Sequence, residues 1–283
     1  MAIKLMVDSA SDISRADAEK LGITVLPLLI NFDGVDYYDG VDITPTEFYG
    51  KLIESKALPK TSQITPFRFE EEMGKLTANG DEVLVITLSS KLSGTYAAAV
   101  QAAENFGGKV EVVDSLNAAI GERLLAEYAL RLIEKGSLSL KALKAELDEK
   151  KKNVRLLALL DTLEYLKKGG RISAAVAFAG EILSLKPVIA VVDGEVKLVG
   201  KALGSRKGNN LLSALVEKTN GVDFTMPCGV VYSGTDKMVL EKYLKDSAKI
   251  WAEATDHLPK RIIGATIGTH VGPGAVGVAF FEK

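Results

Sequence analysis

The chain has 283 residues, 47% apolar and 25% charged, a soluble globular composition with room for two separate cores. No run approaches the roughly 18 consecutive apolar residues that a membrane-spanning helix needs. Lys and Arg number 35 against 37 Asp and Glu, a formal charge of -2, so no basic field exists to hold a phosphate polymer and nucleic acid is not an expected partner.

In chain order, Met1-Ala2-Ile3-Lys4-Leu5-Met6-Val7-Asp8 meets an acid too soon for a secretory leader and reads as the first strand of a cytoplasmic protein. Short β-like runs over 3–7, 83–88 and 110–113 each finish in a polar turn: Asp8-Ser9, Ser89-Ser90 and Asp114-Ser115. A helical pattern follows each one. The first is capped by Asp12 or Ser14 and runs to Leu21, the second is alanine-rich over 96–106, and the third covers 118–135. This alternation predicts an α/β domain with a parallel sheet covered by helices.

A helix over 140–151 ends in the solvated run Glu149-Lys150-Lys151-Lys152-Asn153, where the texture changes. There we expect the boundary between a domain of residues 1–152 and a domain of residues 153–283. The second half carries a run over 154–160 and a hairpin signature over 188–199 that turns at Asp193-Gly194. Further runs follow over 228–232, 262–267 and 276–281, the last two flanking a glycine-rich connection. These predict an α+β domain with a mainly antiparallel sheet.

The one cysteine, Cys228, forbids an intrachain disulfide, and with only His257 and His270 no His/Cys metal cluster can form, so neither a metal nor a cofactor is expected. Ser89-Ser90-Lys91-Leu92-Ser93-Gly94-Thr95-Tyr96 joins a buried-looking strand to an alanine-rich helix, which is the ligand-binding edge of an α/β sheet. Ser93 and Thr95 either cap that helix or donate to an anion at its start, where Gly94 allows close approach. In Lys60-Thr61-Ser62-Gln63-Ile64-Thr65-Pro66, Thr65 and Pro66 open a helix, leaving Thr61, Ser62 and Gln63 for a ligand or a turn. His270 lies in Gly268-Thr269-His270-Val271-Gly272-Pro273-Gly274, read as a glycine-rich loop that serves either a ligand or the backbone. His257, beside Asp256, reads as a surface residue.

The stretch Leu160-Asp161-Thr162-Leu163-Glu164-Tyr165-Leu166-Lys167-Lys168-Gly169-Gly170-Arg171-Ile172-Ser173 reads as strand end, helix and glycine cap. Arg171 there either binds an anion or joins two domains. Residues 174–180 are small and apolar, suited to tight packing or to the wall of a narrow channel. The P-loop, G-x-S-x-G and H-E-x-x-H signatures are missing and no G-x-G-x-x-G stands behind a first strand, so an NTPase, a dinucleotide enzyme and a common serine hydrolase lose support.

Asp8-Ser9-Ala10-Ser11-Asp12, Thr61-Ser62-Gln63, Leu92-Ser93-Gly94-Thr95-Tyr96, the 160–173 stretch and the His270 motif, in this order over nearly the whole chain, resemble the DegV family of bacterial fatty-acid-binding proteins. The resemblance implies a two-domain protein that buries one long-chain fatty acid, such as palmitate, with its carboxylate near the domain junction. It makes Thr61 and Ser93 the hydroxyl donors to that carboxylate, gives Gly94 the close approach, and places His270 in the same network. Members called fatty acid kinase B subunits present the carboxylate to a separate kinase, which makes an acyl phosphate. Where many members read Lys-x-Arg-Gly, this chain has Lys201-Ala202-Leu203-Gly204, with Leu203 in place of the arginine and Arg206 or Lys207 as the nearest substitutes. Ser62, Arg171 and Arg206 are secondary candidates. Two other readings stand beside this non-catalytic one. One is a serine-dependent acyl hydrolase or transferase, with Ser93 as nucleophile and His270 as base, oriented by Asp8 or Asp114. The other is an anion-binding regulatory module.

Overall fold

The computed structural model describes residues 2–55, 57–172, 185–254 and 257–283, so Ser173 and the stretch 174–180 lie outside the described residues. The first half supplies β1 (Ile3–Asp8), α1 (Arg15–Leu21), β2 (Ile23–Leu26), β3 (Leu29–Phe32), β4 (Val35–Tyr38), α2 (Pro45–Glu54), β5 (Lys60–Ser62) and α3 (Pro66–Thr77). Then come β6 (Glu82–Thr87), α4 (Thr95–Ala103), β7 (Val110–Asp114), α5 (Ala119–Lys135) and α6 (Leu140–Lys150). Helices α1, α2, α3 and α6 start where the sequence offers caps, while α4 and α5 have no side-chain cap. Ser14 accepts the Asp17 N–H ahead of α1, Thr44 and Glu47 form a reciprocal capping box on α2, and Thr65 precedes Pro66 of α3.

Strands β2, β1, β6 and β7 form an all-parallel sheet in that order, as the alternation predicts. A second, three-stranded antiparallel sheet, β4-β3-β5, was not anticipated; its strands are three or four residues long, too short to show a period. It matters because β5 carries Thr61.

The second half contains β8 (Val154–Leu159), α7 (Glu164–Lys168), β9 (Leu185–Val192), β10 (Glu195–Leu203) and α8 (Ser205–Glu217). It continues with β11 (Cys228–Tyr232), α9 (Met238–Asp246), β12 (Lys260–Ile262), α10 (Ala265–Val271) and β13 (Val276–Phe281). The sheet order is β10-β9-β8-β13-β11-β12, antiparallel except for the β11–β12 pair. Helix α5 packs against both large sheets. One apolar cluster takes Leu5 and Ile86 from the parallel sheet, Leu124 and Leu125 from α5, and Val231 and Phe281 from the other sheet. The two halves therefore share a core.

One expectation is corrected. The strand expected over 262–267 and the loop expected around His270 are instead a short strand, β12, followed by the helix α10. Gly264, Gly268 and Gly272 recur every four residues, which is one stripe of a helix. A Cβ at Gly268 would stand 2.7 Å from Phe48 and Tyr49 of α2, so this glycine serves close helix packing rather than a turn. Only Gly272, at φ +70°, ends the helix in a conformation that favours glycine.

Candidate functional site

A cavity of about 900 Å³, counting its open mouth, lies between the parallel sheet, the six-stranded sheet and α10. Sheet register sets one wall. The row Val231, Gly277, Ala158 and Ile189 crosses β11, β13, β8 and β9 on the face that lines the cavity. Two small residues stand in the middle of this row, and the Val231 side chain leans over Gly277, where a Cβ would come within 2.9 Å of it. The neighbouring row on the same face adds Leu156, Val191 and Val196, and Leu28, Leu88 and Leu92 close the opposite side. The walls are aliphatic.

One end is polar. Strand β5, paired through Ile30 opposite Thr61, holds Thr61 against α10, and the Thr61 hydroxyl lies 2.9 Å from His270 Nε2. His270 Nδ1 is buried with no hydrogen-bond partner among the described residues. The ring packs on Gly169, where a Cβ would overlap Nδ1. Burial, with the Arg171 guanidinium nearby, pushes His270 down to about 4, so the imidazole is neutral at physiological pH. Ser93 also lines this end. Its Oγ sits 2.9 Å from Thr95 Oγ1 and accepts the Thr95 N–H at 3.2 Å, so it satisfies one free donor at the start of α4. A Cβ at Gly94 would overlap the Gln63 side chain, so the absence of one lets β5 and the α4 turn meet.

Arg171 joins the halves: Nε donates to the Leu92 carbonyl at 3.2 Å and Nη1 to the Gly169 carbonyl at 2.7 Å. Its side chain also lines the cavity. Thr61, Ser62, Ser93, Arg171 and His270, far apart in sequence, thus converge on one cavity, with Gly94 just behind. Arg206 does not join them; it is exposed on the first turn of α8. The sequence reading missed the aliphatic row on the six-stranded sheet. Its only signal is the small residue inside two apolar runs, Leu157-Ala158-Leu159 and Val276-Gly277-Val278.

The pairings of the polar groups define what the site can do. Ser93 is bonded to Thr95 and His270 to Thr61, so no serine–imidazole hydrogen bond is formed. Asp8 accepts the Ala10 and Leu88 N–H groups, and Asp114 those of Ser90 and Leu116, so both proposed orienting acids are engaged with backbone. Among the described residues no group of three His, Cys, Asp or Glu side chains could hold a metal ion, and no helix is long and apolar enough to cross a membrane.

A family model described as "Uncharacterised protein, DegV family" matches residues 2–283. The chain belongs to the DegV family. A DegV domain-containing protein of Caldanaerobacter subterraneus is 36% identical over 283 residues, 99% of each chain. A DegV family protein from Thermus thermophilus, whose structure is described for its fatty acid binding, superposes with a TM-score of 0.86 at 34% identity over all of both chains. A stearic acid-binding protein from Eubacterium ventriosum superposes at 0.87 with 28% identity, covering 100% of this chain and 99% of its own. The parallel four-stranded and mainly antiparallel six-stranded sheets are those of DegV structures.

Proposed function

We propose that this DegV protein binds one long-chain fatty acid, such as palmitate, in a buried apolar tunnel and acts as a carrier without bond chemistry of its own. The observation that carries this reading is the pairing of an aliphatic cavity with a polar end made of Thr61, Ser93 and His270. A carboxylate buried there needs donors, and the Ser93 hydroxyl, the one proton that the Thr61–His270 pair leaves free and the adjacent guanidinium of Arg171 can provide them. At about 0.8 kcal/mol per CH₂, some 15 methylenes offer roughly 12 kcal/mol of gross transfer energy before ordering costs. The headgroup contacts then set orientation. The fatty acid binding described for the Thermus relative and the stearic acid named for the Eubacterium one fit the same reading.

In the finer form of this proposal the protein presents the acyl carboxylate to a separate fatty acid kinase. Leu203, 56% exposed at the end of β10, supplies no charge where many family members carry arginine, so the encounter would rely on the exposed Arg206 or Lys207 in the next turn. The hydrolase reading draws less support, because His270 is bonded to Thr61 and not to Ser93. The anion-module reading has no use for the aliphatic walls.

Mass spectrometry of the purified protein, native and then denatured, tests the proposal, and a released fatty acid is the expected result. Acyl mass that survives denaturation would instead make Ser93 a nucleophile. An empty protein that takes up no fatty acid but titrates with inorganic phosphate would favour the anion module.

A further inference from the structure

Helix α10 carries His270 but has no side-chain cap of its own; its first backbone donors are taken by carboxyls from the other half of the chain. Asp39, on the turn after β4, is 5% exposed and receives the Ala265 N–H on Oδ1 at 3.2 Å and the Thr266 N–H on Oδ2 at 3.1 Å. The Ser9 hydroxyl, which accepts the Leu28 N–H at 3.0 Å, donates to the same Oδ2 at 3.1 Å and fixes the carboxyl from behind. Asp12 receives the Gly264 N–H at 2.8 Å. Three consecutive N–H groups, which a helix start leaves without internal acceptors, thus end on two acidic side chains more than 200 residues away in the chain. The other end of this single rigid segment is His270, held 2.9 Å from Thr61. A displacement of α10 by about 1 Å would take that pair beyond hydrogen-bond range.

We propose that Asp39, assisted by Asp12, is a positioning residue for the headgroup end of the cavity: it anchors α10 so that the His270 imidazole meets Thr61, and thereby sets the preference for a carboxylate headgroup. The ligand in this statement rests on the fatty-acid reading above; the His270 geometry does not. Asp39 does not touch the cavity, and it acts through α10.

The test uses the full chain with Asp39→Ala and Asp39→Asn. One readout is the nitrogen NMR signature of the His270 ring without ligand, with the exposed His257 as internal reference. The other is titration with palmitate and with hexadecanol, which has the chain without the charge. In Asp39→Ala the His270 resonances should move, and palmitate affinity should fall about tenfold while hexadecanol affinity stays within about twofold, the size expected for a misplaced charge-assisted hydrogen bond. Asn, whose carbonyl can take one of the two N–H groups, should restore part of both. Unchanged His270 resonances in both variants, or equal losses for acid and alcohol, would overturn the proposal. If Asp39→Ala does not fold, Asp39→Asn decides by the same two criteria. If wild type binds neither probe, the fatty-acid reading fails, and the His270 spectra alone decide whether the anchor holds.

Discussion

The two ends of α10 differ in what burial does to their charge. At the C-terminal end, burial and the Arg171 guanidinium push the His270 imidazole down to about 4. At the N-terminal end, burial pushes the carboxyls of Asp12 and Asp39 up, and Asp8, close to them, reaches about 7 despite the N–H groups of Leu88 and Ala10. Glu122, fully buried with both oxygens unpartnered among the described residues, is also pushed up by burial and by Asp8, Asp12 and Asp114. One cause, desolvation, favours the uncharged form of acid and base alike. The difference shows a division of labour. Asp8, Asp12 and Asp39 hold backbone donors at the far end of the helix, while the cavity end offers neutral donors and a cation, so an incoming carboxylate meets attraction without a buried anion beside it.

The acid end carries the largest pH-dependent effect. Asp8 ionises near pH 4 in the unfolded chain but near 7 in the folded one, so its contribution to stability is fully present below about pH 4. That contribution, up to about 4 kcal/mol, is lost as the pH rises through about 7. Urea unfolding of Asp8→Asn across this window should show a flatter decline than wild type. Parallel declines would mean that Asp8 does not report on burial at that end.

The imidazole side runs the other way. His270 titrates near 6.5 when unfolded and about 4 when folded, so it contributes stability above about pH 6.5 that is lost as the pH falls through about 4, at most about 3 kcal/mol. His270→Gln should remove that part of the acid-induced loss, measured by the same unfolding series. An undiminished loss would dissolve the contrast between the ends.

The smallest effect is at the headgroup itself. Ser93→Ala and Thr61→Ala should each weaken fatty-acid binding by about 1–3 kcal/mol, the scale of one hydrogen bond to a charged group, as read by calorimetric titration. Unchanged affinity in both variants would refute the assigned headgroup residues.

The sequence made much of this site visible, because strand ends announce themselves. Ser93 and Gly94 stand between a β-branched run and an alanine-rich helix, and Thr61 precedes a Thr-Pro helix start. His270 was visible as a residue but not as part of a helix, since glycines spaced for close packing look the same as glycines spaced for turns. Asp39 was not visible at all. In Asp39-Gly40 it reads as an ordinary turn, and its worth comes from the α10 N–H groups that folding brings to it.

By itself the sequence determined the hairpin at Asp193-Gly194 and the caps of α1 and α3, because each depends on residues that are neighbours in the chain, and its alternation of strands and helices announced the parallel first sheet although the paired strands are distant in sequence. Tertiary structure alone decided the cavity and its polarity. Register across β11, β13, β8 and β9 brings Val231, Gly277, Ala158 and Ile189 together as one wall of the cavity, and the polar end exists because β5 meets α10. Register and helix docking are long-range packing outcomes, in which the free energy of a contact depends on what lies across it and not on what precedes it in sequence.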